Sequence, residues 1–164
     1  MVSIGELAPD FELTNQDGAR VRLSDLRGRN VVLFAFPKAN EMSVGCNTQA
    51  CGFQDETPRI EAANAVVMGI SPDAVAQMKK WHKARKLTYD LLSDPEHDML
   101  GPYGAWGIPL LGIVKMPMVN RSYWVIDADG RIVDMQINAG PGESVKKALA
   151  ALDRLGAAQS QRTK

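Results

Sequence analysis

A chain of 164 residues and 17.9 kDa is the size of one ordinary domain, long enough to bury roughly 70% of the surface its unfolded form exposes. Its 19 basic and 19 acidic residues cancel, which excludes a basic nucleic-acid module and leaves no global field toward nucleic acid or an anionic membrane. With 45% apolar residues it belongs with globular proteins and not with disordered or collagen-like chains.

The opening, MVSIGELAPDFEL, places Glu6 and Asp10 where an export signal would carry a basic start and a long apolar run. The most apolar run, Val31 to Pro37, falls far short of the ~20 residues of a membrane-spanning helix, so the chain reads as soluble and cytoplasmic. Asp17-Gly18 between two short alternating stretches predicts an N-terminal β-hairpin, followed by a short helical turn capped by Ser24 and ending at Leu26. Asn30 to Phe36 is a continuous β-branched and aromatic run, the pattern of a central strand buried on both faces. Pro37 stops it, and Ser43 to about Ala63 offers a capping hydroxyl before a helix-compatible sequence.

A second buried run, AVVMGIS, comes next, and Ser71-Pro72 predicts the cap and first residue of a helix with Val75, Met78, Trp81 and Leu87 on one face. Asp90 to Ser93 suits a short strand. Arg121 to Asp127 and Arg131 to Ile137 flank an Ala128-Asp129-Gly130 turn, and Val145, Leu149, Leu152 and Leu155 form the stripe of a closing helix. This order predicts an α/β protein of thioredoxin-like fold, with a central mixed β-sheet flanked by helices and an N-terminal β-hairpin. Residues 1–155 form the expected domain, and 156–164 a polar tail that frays.

Two cysteines carry the sharpest chemistry. Cys46 follows a buried strand and a turn and lies in the first turns of a helix, where free N–H groups and the helix dipole favour a thiolate. A neighbouring guanidinium would lower its pKa further. If Cys51 lies on the same helix, the pair is separated by about 7.5 Å of rise and about 140° of rotation, or roughly 8.6 Å between Cα atoms. A disulfide needs about 4.4–6.8 Å. Either the pair never bridges, or the helix unwinds during a reaction cycle. Inert, buried cysteines are the competing reading, and spacing alone leaves both open.

The runs PKANEMSVGCNTQACGFQD, GELAPDFELTNQDG with LSDLRG, LLSDPEHDMLGPYGAWG and RSYWVIDADGRI cover nearly the whole chain to about Leu155. Together they resemble the peroxiredoxin family, most closely its bacterioferritin-comigratory-protein or PrxQ branch. The resemblance implies a thiol peroxidase acting on hydrogen peroxide and organic hydroperoxides, with no metal, flavin or other cofactor. Cys46 then matches the peroxidatic cysteine and Cys51 the resolving one, which condenses with the Cys46 sulfenic acid to an intramolecular disulfide. Thioredoxin or a similar dithiol protein is the implied reductant. Pro37 matches the proline that shields the nucleophile, Ser43 the hydroxyl residue three before it, and Arg121 the arginine that stabilises the thiolate and the departing oxygen. A monomer is expected, with a dimer as the alternative. The chain departs from the family in placing five residues, KANEM, between Pro37 and Ser43, in using Ser43 for the commoner threonine, and in carrying Val44 where proline is common.

Other features read as structural. His82 and His97 are expected to be solvated, and neither spacing suits a Cys/His hydrolase or a zinc site. The basic run Lys79 to Lys86 reads as a solvated face. The stretch Gly107 to Met118 is apolar but too broken for a helix, and reads either as core filling or as a loop lining an apolar pocket or contact surface, part of a collar near the peroxide site. A disulfide reductase would want a Cys-x-x-Cys motif, which the sequence lacks. A catalytically silent thioredoxin-fold interaction protein is the alternative from another class, supported by the altered Pro37 to Ser43 spacing.

Overall fold

The computed structural model describes residues 2–162. The N-terminal hairpin forms as predicted, with β1 (Glu12–Asn15) and β2 (Arg20–Arg22) closing on Gly18, which takes a φ of +82°. A 3-10 turn over Leu23–Leu26 follows, but Ser24 lies inside it and caps nothing. Its backbone N–H donates instead to Asp10 Oδ1 at 2.9 Å. The remaining elements are β3 (Asn30–Ala35), α1 (Val44–Asp55), α2 (Thr57–Ala62), β4 (Ala65–Ser71), α3 (Val75–Ala84), β5 (Asp90–Ser93), β6 (Trp106–Leu110), β7 (Val114–Val119), β8 (Ser122–Ile126), β9 (Ile132–Ile137) and α4 (Pro141–Arg162).

Seven strands form one mixed sheet in the order β2-β1-β5-β4-β3-β8-β9. The six residues of β3 are all buried, because it runs parallel to β4 on one side and antiparallel to β8 on the other. Alternation along β3 then separates two cores. Val32, Phe34 and Phe36 face a cluster to which all four α-helices contribute, including Cys46, Phe53, Trp81 and Leu149. Val31, Leu33 and Ala35 face a second cluster covered by the N-terminal segment and by Met99, Tyr103 and Val119.

The seating of α1 depends on a glycine across the sheet. The register pairs Phe34 with Gly69, where an added Cβ would lie 2.6 Å from Phe34 Cζ. The missing side chain makes room for the Phe34 ring, which stacks on Phe53 of α1 at 4.8 Å between centroids.

Three further local expectations change. The segment from Ser43 breaks into two helices at Glu56. The helix expected at Ser71-Pro72 begins at Val75, because Ser71 is the last residue of β4, pairs with Ser93, and turns its hydroxyl to Asp73 at 2.7 Å. The polar residues 156–162 continue α4 instead of leaving the helix, and Leu155 just before them packs against the core. Residues 163 and 164 of the tail lie outside the described residues.

Candidate active site

The register of β3 against β8 builds the site. Ala35 pairs with Ser122, so the end of β3, where the chain leaves toward α1, lies beside the start of β8, where Arg121 stands. Ser43 has extended backbone angles and caps α1, its hydroxyl accepting from the Cys46 N–H at 3.4 Å. Cys46 is thus the third residue of the helix, within the turn whose N–H groups lack intrahelical partners. Arg121 Nη2 lies 3.3 Å from Cys46 Sγ, across 75 positions of sequence, while Nη1 donates to Gln49 Oε1 at 2.7 Å. The guanidinium therefore spans the thiol and the side chain one helical turn further on. Gly45 leaves it room, since a Cβ there would sit 3.0 Å from Nη2.

The sequence singled out Cys46, Cys51, Ser43, Arg121 and Pro37, and the structure brings the cap, the thiol and the guanidinium together. Pro37 follows β3 and is half-buried. Cys51 is half-buried on the same α1 helix, and both cysteines are free thiols. The same-helix geometry that forbids a disulfide without unwinding therefore applies. A nucleophile must meet its substrate, yet Cys46 is 0% exposed. The first turn of α1 packs it into the core with Phe36 and Ala39.

The five residues between Pro37 and Ser43 are folded tightly. Asn40 makes a turn, its carbonyl accepting from Ser43 N at 3.0 Å and its Oδ1 from Met42 N at 2.8 Å. Asn47 on α1 holds this turn from the other side. Its Nδ2 donates to Glu41 O at 2.9 Å and Ser43 O at 2.8 Å, and its Oδ1 accepts from Trp81 Nε1 at 2.9 Å. Asp73 Oδ2 accepts from Ala39 N at 2.6 Å, and Gln77 Nε2 donates to Ala39 O at 2.5 Å. A surface cleft lined by Asn40, Met42, Gln77, Lys80 and Trp81 opens beside the loop.

Sequence reasoning missed Gln49, Asn47 and Gly45. The signal for Gln49 was present, because residues three apart share a helix face and Gln49 follows Cys46 by three. Asn47 gave no such signal, since its partners lie on a loop and on α3. Tyr89 donates its hydroxyl to Ala50 O at 2.7 Å, and burial, then its proximity to Cys51, raises its pKa well above the ordinary phenol value.

The histidines differ from expectation. His82 is half-buried with Nε2 2.9 Å from Tyr89 O, and His97 stacks on Trp106 at 3.5 Å. The basic run is exposed at Lys79, Lys80, Lys83 and Lys86, whereas Arg85 is half-buried and donates to Glu41 O at 3.3 Å. Gly107 to Met118 is a two-stranded ribbon, β6–β7, and not a loop. The residues at its base, Ala105, Trp106 and Val119, belong to the core on the opposite face of the sheet from Cys46, which argues against a collar.

The AhpC/TSA family profile matches residues 4–135. The chain is 42% identical over 134 residues to a putative peroxiredoxin bcp of Haemophilus influenzae, covering 82% of this chain and 85% of that one. It is 36% identical over 128 residues to peroxiredoxin Bcp of Escherichia coli, covering 78% and 81%. Among solved structures, peroxidoxin BcpB of Mycobacterium tuberculosis superposes with a TM-score of 0.82 at 35% identity, over 94% of this chain and 98% of that one. A Cys-to-Ser mutant of Xylella fastidiosa PrxQ, at 22% identity, shares the fold with a TM-score of 0.86, over 95% and 98%.

Proposed function

The chain belongs to the AhpC/TSA family, among its Bcp peroxiredoxins, and from that premise we propose that it reduces hydroperoxides with Cys46 as the peroxidatic thiol and Cys51 as the resolving thiol. The observation that carries this reading is the Arg121 Nη2 to Cys46 Sγ distance of 3.3 Å at a capped helix start. Fixed positive charge and helix N–H groups both favour the thiolate, the nucleophilic form.

The Cys46 thiolate attacks one oxygen of hydrogen peroxide or an organic hydroperoxide. An S–O bond forms, the O–O bond breaks, and the displaced oxygen leaves as hydroxide or alkoxide and takes up a proton. Arg121 offsets the charge on the thiolate and on the departing oxygen, and Gln49 fixes the guanidinium plane. The Ser43 hydroxyl caps the helix and offers a hydrogen bond to the bound peroxide, and Pro37 walls the pocket without adding an N–H donor. Because Cys46 is buried, entry requires the 38–43 loop to move from α1, and the contacts of Asn47, Asp73 and Gln77 set how readily it does so.

The thiol of Cys51 then attacks the sulfenic sulfur of Cys46. An S–S bond forms and water leaves, after α1 has unwound between the two positions. A dithiol protein such as thioredoxin restores both thiols and is itself oxidised to a disulfide. The cycle runs in a cytoplasmic monomer without a bound cofactor.

The test pairs two substitutions. Cys46→Ser should abolish peroxide consumption. Cys51→Ser should allow one turnover and then stall as the sulfenic acid. The mass of the peroxide-treated wild type, with and without alkylation, should show both thiols lost within one molecule. Equal turnover by wild type and Cys46→Ser would sink the proposal.

A further inference from the structure

At the tip of the β6–β7 ribbon Leu111 and Ile113 are 93% and 92% exposed, with Leu110, Val114 and Met116 exposed beside them. Hairpin turns in water are ordinarily built from glycine, asparagine and aspartate. Here a leucine occupies the turn with φ at +53°, next to Gly112 at +75°. The charge pattern is equally selective. From Met99 to Ile126 the chain holds no Asp or Glu, and its only charges are Lys115, beside the tip, and Arg121, at the thiol.

We propose that this tip is a membrane-interface anchor that seats in the surface of an anionic bilayer. Leu111 and Ile113 protrude with almost their whole surface free, and the stretch around them carries Lys115 and no acid, a combination that suits an anionic bilayer. Lys115 lies two residues from Ile113, about 7 Å along the strand. With its ammonium among anionic headgroups, the tip reaches the boundary of the acyl chains, within the ~5–10 Å depth of interfacial segments. Among the described residues no helix is long and apolar enough to cross a membrane, so attachment is peripheral. One small apolar tip and one cation make it reversible. A net charge of zero is blind to such a local device.

The substrate consequence rests on the peroxidase reading above. Eight residues lead from Ile113 to Arg121, a reach of at most about 29 Å. Since Arg121 touches Cys46 Sγ, an anchored ribbon holds the thiol within about that reach of the lipid surface, across the sheet from the ribbon base, and so raises the supply of acyl hydroperoxides to it.

The full-length protein is sedimented with vesicles of mixed phosphatidylcholine and phosphatidylglycerol and with vesicles of phosphatidylcholine alone. Wild type should partition more strongly onto the mixed vesicles. The double substitution Leu111→Asp, Ile113→Asp should lower bound-to-free protein at least about tenfold, with circular dichroism and hydrogen peroxide turnover unchanged. Reduction of phosphatidylcholine hydroperoxide in mixed vesicles should fall with it. Wild type left in the supernatant, or the double variant sedimenting like wild type, overturns the anchor. So does a wild-type dimer on gel filtration that the double variant breaks while vesicles capture nothing, which would make a second copy the occupant. Vesicle binding needs no turnover, so an inactive chain that still binds would refute the peroxidase reading and leave the anchor standing.

Discussion

Replacing Tyr89 by phenylalanine should speed closure of the Cys46–Cys51 disulfide without changing the first oxidation. The Tyr89 hydroxyl reaches the Ala50 carbonyl at 2.7 Å, one residue before Cys51, and ties that turn of α1 to the segment entering β5. Gln54 and Thr88 reinforce the tie, with Thr88 N donating to Gln54 Oε1 at 2.8 Å. The Ala50 carbonyl stays within the helix and keeps its partner there, so the substitution removes one net buried hydrogen bond, about 1 kcal/mol. If that bond is lost whenever α1 opens, the open population rises about fivefold. Rapid mixing with hydrogen peroxide, acid quenching, alkylation and mass measurement separate sulfenic acid from disulfide. The expected result is an unchanged rate of Cys46 oxidation, disulfide formation about fivefold faster, and less sulfinic acid at excess peroxide. Disulfide formation that is unchanged or slower, with Cys46 oxidation intact, would refute the role of the 88–89 segment in holding α1 closed.

Arg121→Met should lower the rate of peroxide consumption by about 10²–10³-fold, whereas Arg121→Lys should fall between, since an ammonium cannot span Sγ and Gln49 together. Asn47→Ala strips the buried Trp81 of its indole partner and frees the Asn40 to Ser43 turn, so urea denaturation should show a loss of about 1–3 kcal/mol. All three tyrosines of the chain, Tyr89, Tyr103 and Tyr123, have pKa values raised above the ordinary 10.0, first by burial. A raised folded-state pKa gives stability that is fully present below the unfolded value and is lost as pH rises through the folded one. Phenolate absorbance should therefore stay flat near pH 10 and appear in one step with alkaline unfolding. A gradual rise near pH 10 with the far-ultraviolet spectrum intact would contradict that burial.

Much of this protein follows from local pattern. Period and composition are properties of short windows, so the hairpin at Gly18, the strands β3, β4 and β5, and the stripe from Val145 to Leu155 could be read directly. The capping serine and the placement of Cys46 in the first turn of α1 are equally local, as is the same-helix distance that bars a disulfide. Where a residue has competing partners, local reading fails. Ser71 looks like a helix cap, but β5 claims it as a strand residue and Asp73 takes its hydroxyl. Only tertiary structure brings Arg121 to Cys46, through the Ala35 to Ser122 register, because sequence fixes which residues prefer strands but not which strand lies next to which. The same holds for the burial of Cys46, for Asn47 bridging a loop to α3, and for the exposed Leu111 and Ile113. Each depends on what the finished packing covers or leaves open, and no short window contains that information.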